Sequence, residues 1–130
     1  MFKNLKRLLN PTHTRNLKVA SNEEATFELL VGDLKVGNLS YKDKKWTFKY
    51  SEEFKETKGI KTLADFPRID EVYSNEELWP FFSSRIPSIA RPRVKKLIEK
   101  EGIDDHDILA LLKRFGRQTI TNPFELKPLN

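Results

Sequence analysis

Between Ala25 and Tyr50, apolar and polar positions alternate with a period of two, the signature of strands with one buried face. Phe27, Leu29 and Val31 alternate with Thr26, Glu28 and Leu30, and Gly32-Asp33 offers a tight turn. Lys35 to Tyr41 can run back as a second strand, in which Gly37 marks a bulge or a close backbone approach. After a polar turn over 42–45, Trp46, Phe48 and Tyr50 line one face, and Lys45, Thr47 and Lys49 the other. The pattern predicts a three-stranded antiparallel meander with one apolar face.

Residues 51–73 carry weaker signals. Ser51-Glu52-Glu53-Phe54 reads as a cap and a single helical turn, and Phe66-Pro67 with Ile69 as a short extended segment rejoining the sheet. Further on the period lengthens. Ser74 and Glu77 form an S-x-x-E capping box, predicting a helix through Leu78, Trp79, Phe81 and Phe82, irregular at Pro80 and ended by Pro87. Pro92 suits the first turn of a helix running to about 101, with Val94, Leu97 and Ile98 on one face and Gly102 as its stop. Asp104 or Asp105 caps a third helix, about 105–115, through Ile108, Leu111, Leu112 and Phe115, ended by Gly116. Residues 117–122 suggest one more short strand, closed by Asn122-Pro123. Strands first and helices later imply an α+β fold, a small antiparallel sheet with helices packed on one face.

Length sets the scale of this fold. At 130 residues the chain suits one domain, large enough to hold a core without staples. The absence of cysteine excludes disulfides, thiolate catalysis and the common zinc frameworks. The charge is uneven: 24 basic and 19 acidic residues give +5, and Lys3, Lys6, Arg7, Arg15 and Lys18, unaccompanied by any acid before residue 23, supply all of it. Residues 1–22 therefore read as a basic N-terminal extension and 23–130 as the single domain. Phe2, Leu5, Leu8 and Leu9 predict a two-turn helix over 2–9 that must dock to persist. Polar residues interrupt this stretch, so it does not read as a signal peptide, and no apolar run reaches a membrane span; a cytoplasmic location is the default expectation.

Catalytic chemistry finds no foothold in the sequence. The two histidines, His13 and His106, stand far apart, and His106 reads as a solvated first-turn residue. The acid pairs Glu23-Glu24, Glu52-Glu53, Glu76-Glu77 and Asp104-Asp105 each precede a predicted element, where capping explains an acid. Five glycines never form a phosphate-cradling loop. No catalytic, metal or cofactor residue is assigned.

Surface for binding remains. Arg91, Arg93, Lys95, Lys96 and Lys100 against Glu99 make a basic helix face, either a phosphate track or, more simply, a solvated surface. With Lys3, Lys6 and Arg7 it forms a possible basic contact surface, and direct nucleic-acid binding is expected to be weak or absent. The segment Leu78-Trp79-Pro80-Phe81-Phe82-Ser83-Ser84-Arg85-Ile86-Pro87 is denser in large apolar residues than a surface connection needs. Phe81 and Phe82 are expected to pack inward beside Trp46, Phe48 and Tyr50. Trp79 is expected to stay exposed beside Arg85 as an interface anchor.

These motifs resemble a known family. Val36-Gly37-Asn38-Leu39-Ser40-Tyr41 and Trp46-Thr47-Phe48-Lys49-Tyr50-Ser51 are similar to the opening of HipA-type proteins, and Pro80 to Pro87 to their Pro-Phe-Phe segment. Asp107 to Leu112 and Phe115-Gly116-Arg117-Gln118 resemble the helix and strand that follow, so the likeness runs in order over about residues 26–122. Ser88-Ile89-Ala90-Arg91 depart from the glycine and acidic start usual after that segment. The resemblance is to the small N-terminal subdomain of serine/threonine kinase toxins, and the kinase part is absent. It implies a stand-alone antitoxin like HipS, inhibiting a HipT-like kinase in trans, with Trp79, Phe81, Phe82, Ser83 and Arg85 as candidate kinase-binding residues. A HipB-like helix-turn-helix protein is the further partner it suggests, through a ternary complex. Two alternatives stand beside it: a DNA-associated accessory subunit of a toxin–antitoxin operon, and a regulatory subdomain that stabilises a truncated kinase without inhibiting it.

Overall fold

The computed structural model describes residues 23–129; the expected basic extension over 1–22, with its helix over 2–9, lies outside the described residues. Alternation drives the first half of the fold. β1 (Ala25–Val31), β2 (Leu34–Lys42) and β3 (Lys45–Tyr50) form the expected antiparallel meander. Trp46, Phe48 and Tyr50 are buried while Lys45 and Lys49 are exposed, so the predicted register holds. Gly32 has a φ of 60° in the first turn, and Asp43 and Lys44 both adopt left-handed backbone in the second, as a two-residue hairpin turn demands.

Gly37 is both close approach and bulge neighbour. Leu29 pairs with Gly37 but Leu30 pairs with Lys35, leaving Val36 as the extra residue, fully buried. A Cβ on Gly37 would lie 2.5 Å from the Lys49 carbonyl oxygen and 2.7 Å from the Phe48 ring. Ser51 ties off the bulge: its N–H donates to the Val36 carbonyl (2.8 Å) and its hydroxyl to that of Lys35. The same hydroxyl accepts from Phe54 N–H (3.0 Å), capping the single-turn helix α1 (Glu52–Glu56).

Two further strands complete the sheet in the order β4-β3-β2-β1-β5, and both correct the sequence reading. β4 is Tyr73–Asn75, pairing Ser74 with Thr47, so Ser74 sits in a strand and caps no helix. The segment that rejoins the sheet is therefore not 66–69. Phe66 instead drops into the core, stacked on Phe48 at 4.3 Å. β5 is Glu125–Pro128, paired with β1. Residues 117–122 form a turn closed by a Thr119–Asn122 bridge rather than a strand. The strand lies beyond Pro123 because Leu126 is the residue that can bury opposite Leu29.

The helices cover the apolar face. α2 (Pro80–Ser83) is one turn, α3 (Pro92–Glu101) ends at Gly102 with φ 68°, and α4 (Ile108–Phe115) is capped by Asp107, whose side chain accepts from Ala110 N–H (3.2 Å). Asp104 and Asp105, the expected caps, stand in the preceding turn. Phe54, Phe66, Phe82, Val94, Ile98, Ile108, Leu109, Leu111 and Leu112 join the inward residues of the sheet in one core. The result is an α+β domain with a five-stranded antiparallel sheet. No helix among the described residues is long and apolar enough to cross a membrane.

Candidate functional site

The aromatic segment turns sharply because Pro80 occupies the first helical position, where its missing N–H is no loss. The Trp79 carbonyl accepts from Phe82 and Ser83 N–H (2.9 and 3.0 Å), and the Asp65 carboxylate from Phe81 N–H (3.3 Å). This one-turn knot sends four neighbouring side chains to different depths. Leu78 and Phe82 are buried, Phe82 completely, with rings of Phe48, Phe66 and Phe81 within 6.0 Å. Trp79 and Phe81 are half-buried, and Ser83 beside them likewise.

Trp79 is thus not the free-standing aromatic expected from the sequence. Its indole stands edge-on to Phe66 at 4.9 Å, leaving only part of the ring to solvent. Phe82 is wholly interior and has no surface to offer in this conformation.

Arg85 departs further from expectation. It is 5% exposed, and it reaches inward rather than along a rim. One terminal nitrogen donates to the carbonyls of Gly116 (3.1 Å) and Arg117 (3.3 Å). The other donates to Asn122 Oδ1 (3.1 Å) and the Phe124 carbonyl (2.9 Å). Among the described residues no carboxylate pairs with it, and its Nε has no partner. Desolvation pushes the guanidinium pKa down, yet arginine stays charged at any ordinary pH. The four oxygens supply the missing solvation. The Phe81 ring adds to it, with the guanidinium carbon 5.5 Å from the ring centre.

Arg85 therefore organises the loop 116–124. Leu126 N–H donates to the Arg117 carbonyl (2.8 Å), and the Arg117–Glu125 ion pair closes the outside. Phe124 meets Phe81 at 5.6 Å, and Ile120 projects fully exposed from the tip. Trp79, Phe81 and Phe124 thus belong to one chain of ring contacts running through Phe66 and Phe82, on the same arginine-held unit as the exposed Ile120. Sequence reasoning missed Phe124, which lies beyond the predicted elements, and Ile120, which fell inside the segment expected to be a strand.

The other candidates fall elsewhere. Arg91, Arg93, Lys95 and Lys96 are all exposed on or beside α3, whose Val94 and Ile98 face the core, as for a solvated helix face. Lys3, Lys6 and Arg7 lie outside the described residues. Asp104, Asp105 and His106 bring their ligand atoms within 4.8 Å of one another. The Asp104 carboxylate accepts from His106 N–H (2.9 Å) and Asp105 meets His106 Nδ1 at 2.7 Å, so the turn before α4 accounts for the trio.

Comparison with known proteins agrees with this architecture. A family model described as the HipA N-terminal domain matches residues 27–121. Among solved structures, the N-terminal domain of HipA toxin superposes with a TM-score of 0.53 at 15% identity, covering 82% of this chain and 93% of that one. No curated protein matches in sequence.

Proposed function

This chain belongs to the HipA N-terminal domain family, and from that premise we propose that it is a non-catalytic antitoxin that binds and inhibits a HipT-like serine/threonine kinase in trans. The observation that carries the reading is the half-buried group Trp79, Phe81 and Phe124, joined through ring contacts, with Arg85 meeting Phe81 and the Phe124 carbonyl and Ile120 exposed at the loop tip. Rigid aromatic area costs little ordering entropy on docking, which suits a module that works by filling or distorting a partner's cleft. Trp79 and Phe81 are the contacts proposed here, with Ser83 beside them. Arg85 and Phe82 support the surface from within. The sequence holds no thiol and no phosphate loop, so inhibition by occupancy asks nothing of it that it lacks.

A second reading draws on the completeness of the match. The chain covers nearly all of a domain that belongs to a toxin, so supplying a missing subdomain to a truncated kinase is the competing role. One assay separates them by sign. Titrating the protein into a cognate kinase that lacks this domain should lower phosphotransfer. A rise in activity would favour completion, and failure to bind by calorimetry would end both readings. The chain alone with Mg-ATP should incorporate no phosphate.

A further inference from the structure

The outer face of the sheet carries a charge pattern that the packing of the domain does not require. Thr26, Ser40, Thr47 and Ser74 stand opposite one another across four strands, making a row of short hydroxyl side chains. Lysines flank this row on both sides. Lys42 and Lys45 are directly opposed in the register on one side, and Lys49 and Lys127 occupy the row of Glu28 and Asn38 on the other. The two carboxylates of the outer strand positions are already engaged, Glu28 with Lys35 (3.2 Å) and Glu125 with Arg117. The lysines flanking the row are exposed and form no ion pair among the described residues.

Like charges directly opposed across two strands destabilise a hairpin, yet the Lys42–Lys45 pair closes this one. A fold selected only for stability has no use for it. We propose that this face binds the phosphodiester backbone of duplex nucleic acid. Charge complementarity identifies the ligand as a polyanion. The row of short side chains allows close approach of the backbone, with the Thr47 and Ser74 hydroxyls 3.4 Å apart. An acidic protein fits less well, because protein interfaces rest on apolar or aromatic anchors and the centre of this face has none. Single strands fit less well too, since no outer strand position carries an aromatic on which a base could stack. The surface is separate from the aromatic site, so the two proposals stand or fall independently.

The test is anisotropy of a labelled random-sequence duplex with the full chain, titrated over salt from about 50 to 200 mM. Each phosphate contact contributes about 0.9 to the slope of log K against log salt. The triple variant Lys42→Gln, Lys45→Gln, Lys49→Gln should therefore weaken binding about tenfold or more at low salt and flatten the slope by about 2 to 3. The control triple Arg91→Gln, Arg93→Gln, Lys95→Gln removes equal charge from α3 and should leave the slope unchanged. Both triples retain residues 1–22, so that contribution is constant. The sheet variant should be at least as heat-stable as the parent, because the Lys42–Lys45 repulsion is gone; should it fold poorly, Lys49→Gln alone carries the test with a slope change of about 1. The proposal is overturned by equal slopes in the two triples, by no duplex binding at low salt, or by polyglutamate binding as tightly as the duplex.

Discussion

β3 presents two surfaces that share one backbone and almost nothing else. Inward, Trp46, Phe48 and Tyr50 are at most 2% exposed and meet Tyr41, Phe54, Phe66 and Phe82 ring against ring. Outward, Lys45, Thr47 and Lys49 touch solvent, and the Thr47 hydroxyl lies 3.4 Å from that of Ser74. The inner face is over-determined by shape, because a close-packed interior responds to every methylene. The outer face is constrained by little except charge and size. Its composition is free to follow binding, which is why a pattern unfavourable to the fold is informative there and would be unreadable inside.

Substitutions along this strand should expose the contrast. Trp46→Ala should cost about 3–5 kcal/mol by denaturant titration, enough to remove much of the stability of a domain this size. A loss below about 1 kcal/mol would mean that the inner face can collapse around the hole. Arg85→Met tests whether an inner surface can also depend on a cation. It strands four oxygens that now accept from the guanidinium, and it should cost roughly 3 kcal/mol and speed amide exchange over 116–124. Unchanged exchange in that loop would remove Arg85 as its organiser.

Trp79→Ala sits between the two extremes. It should raise the dissociation constant for the proposed kinase partner about 30-fold, roughly 2 kcal/mol, while the domain stays folded by circular dichroism. Unchanged affinity in a folded variant would take Trp79 out of the contact. Tyr50→Phe adds a pH axis. The hydroxyl donates to the Phe66 carbonyl (2.6 Å) and accepts from Leu63 N–H (2.9 Å), and burial raises its pKa above 10. The folded state holds this proton more tightly than the unfolded one. Its contribution is therefore complete below the unfolded pKa near 10 and is lost as pH rises through the folded value. Thermal midpoints should fall above about pH 10, less steeply in Tyr50→Phe, which at neutral pH costs about 1–2 kcal/mol. The smallest effect belongs to the outer face: Thr47→Val should move stability by no more than about 0.5 kcal/mol.

Legibility followed the range of the interactions. The meander, its register, α3 and α4 could be read because alternation, helical spacing, Pro92 and Gly102 are local signals repeated several times each. Ser74 and Glu77 show how a local motif misleads. The S-x-x-E spacing is present, but β3 has an open edge, and pairing Tyr73–Asn75 against Trp46–Phe48 satisfies backbone groups that a capped helix would leave bare. A strand of three residues has no period to detect. β5 escaped for the same reason, since only Leu126 is buried among its four residues.

The sequence by itself determined which residues want to be inside and the strand and helix periods. Those are properties of neighbours in the chain. Tertiary structure alone decided that Arg85 is interior, because the oxygens that solvate it are three backbone carbonyls and one amide from a loop 31 to 39 residues away. It also decided that lysines from β2, β3 and β5 share one face with a row of hydroxyls. Backbone acceptors leave no mark in side-chain identity, and strand register is fixed only when distant segments bury their apolar faces together.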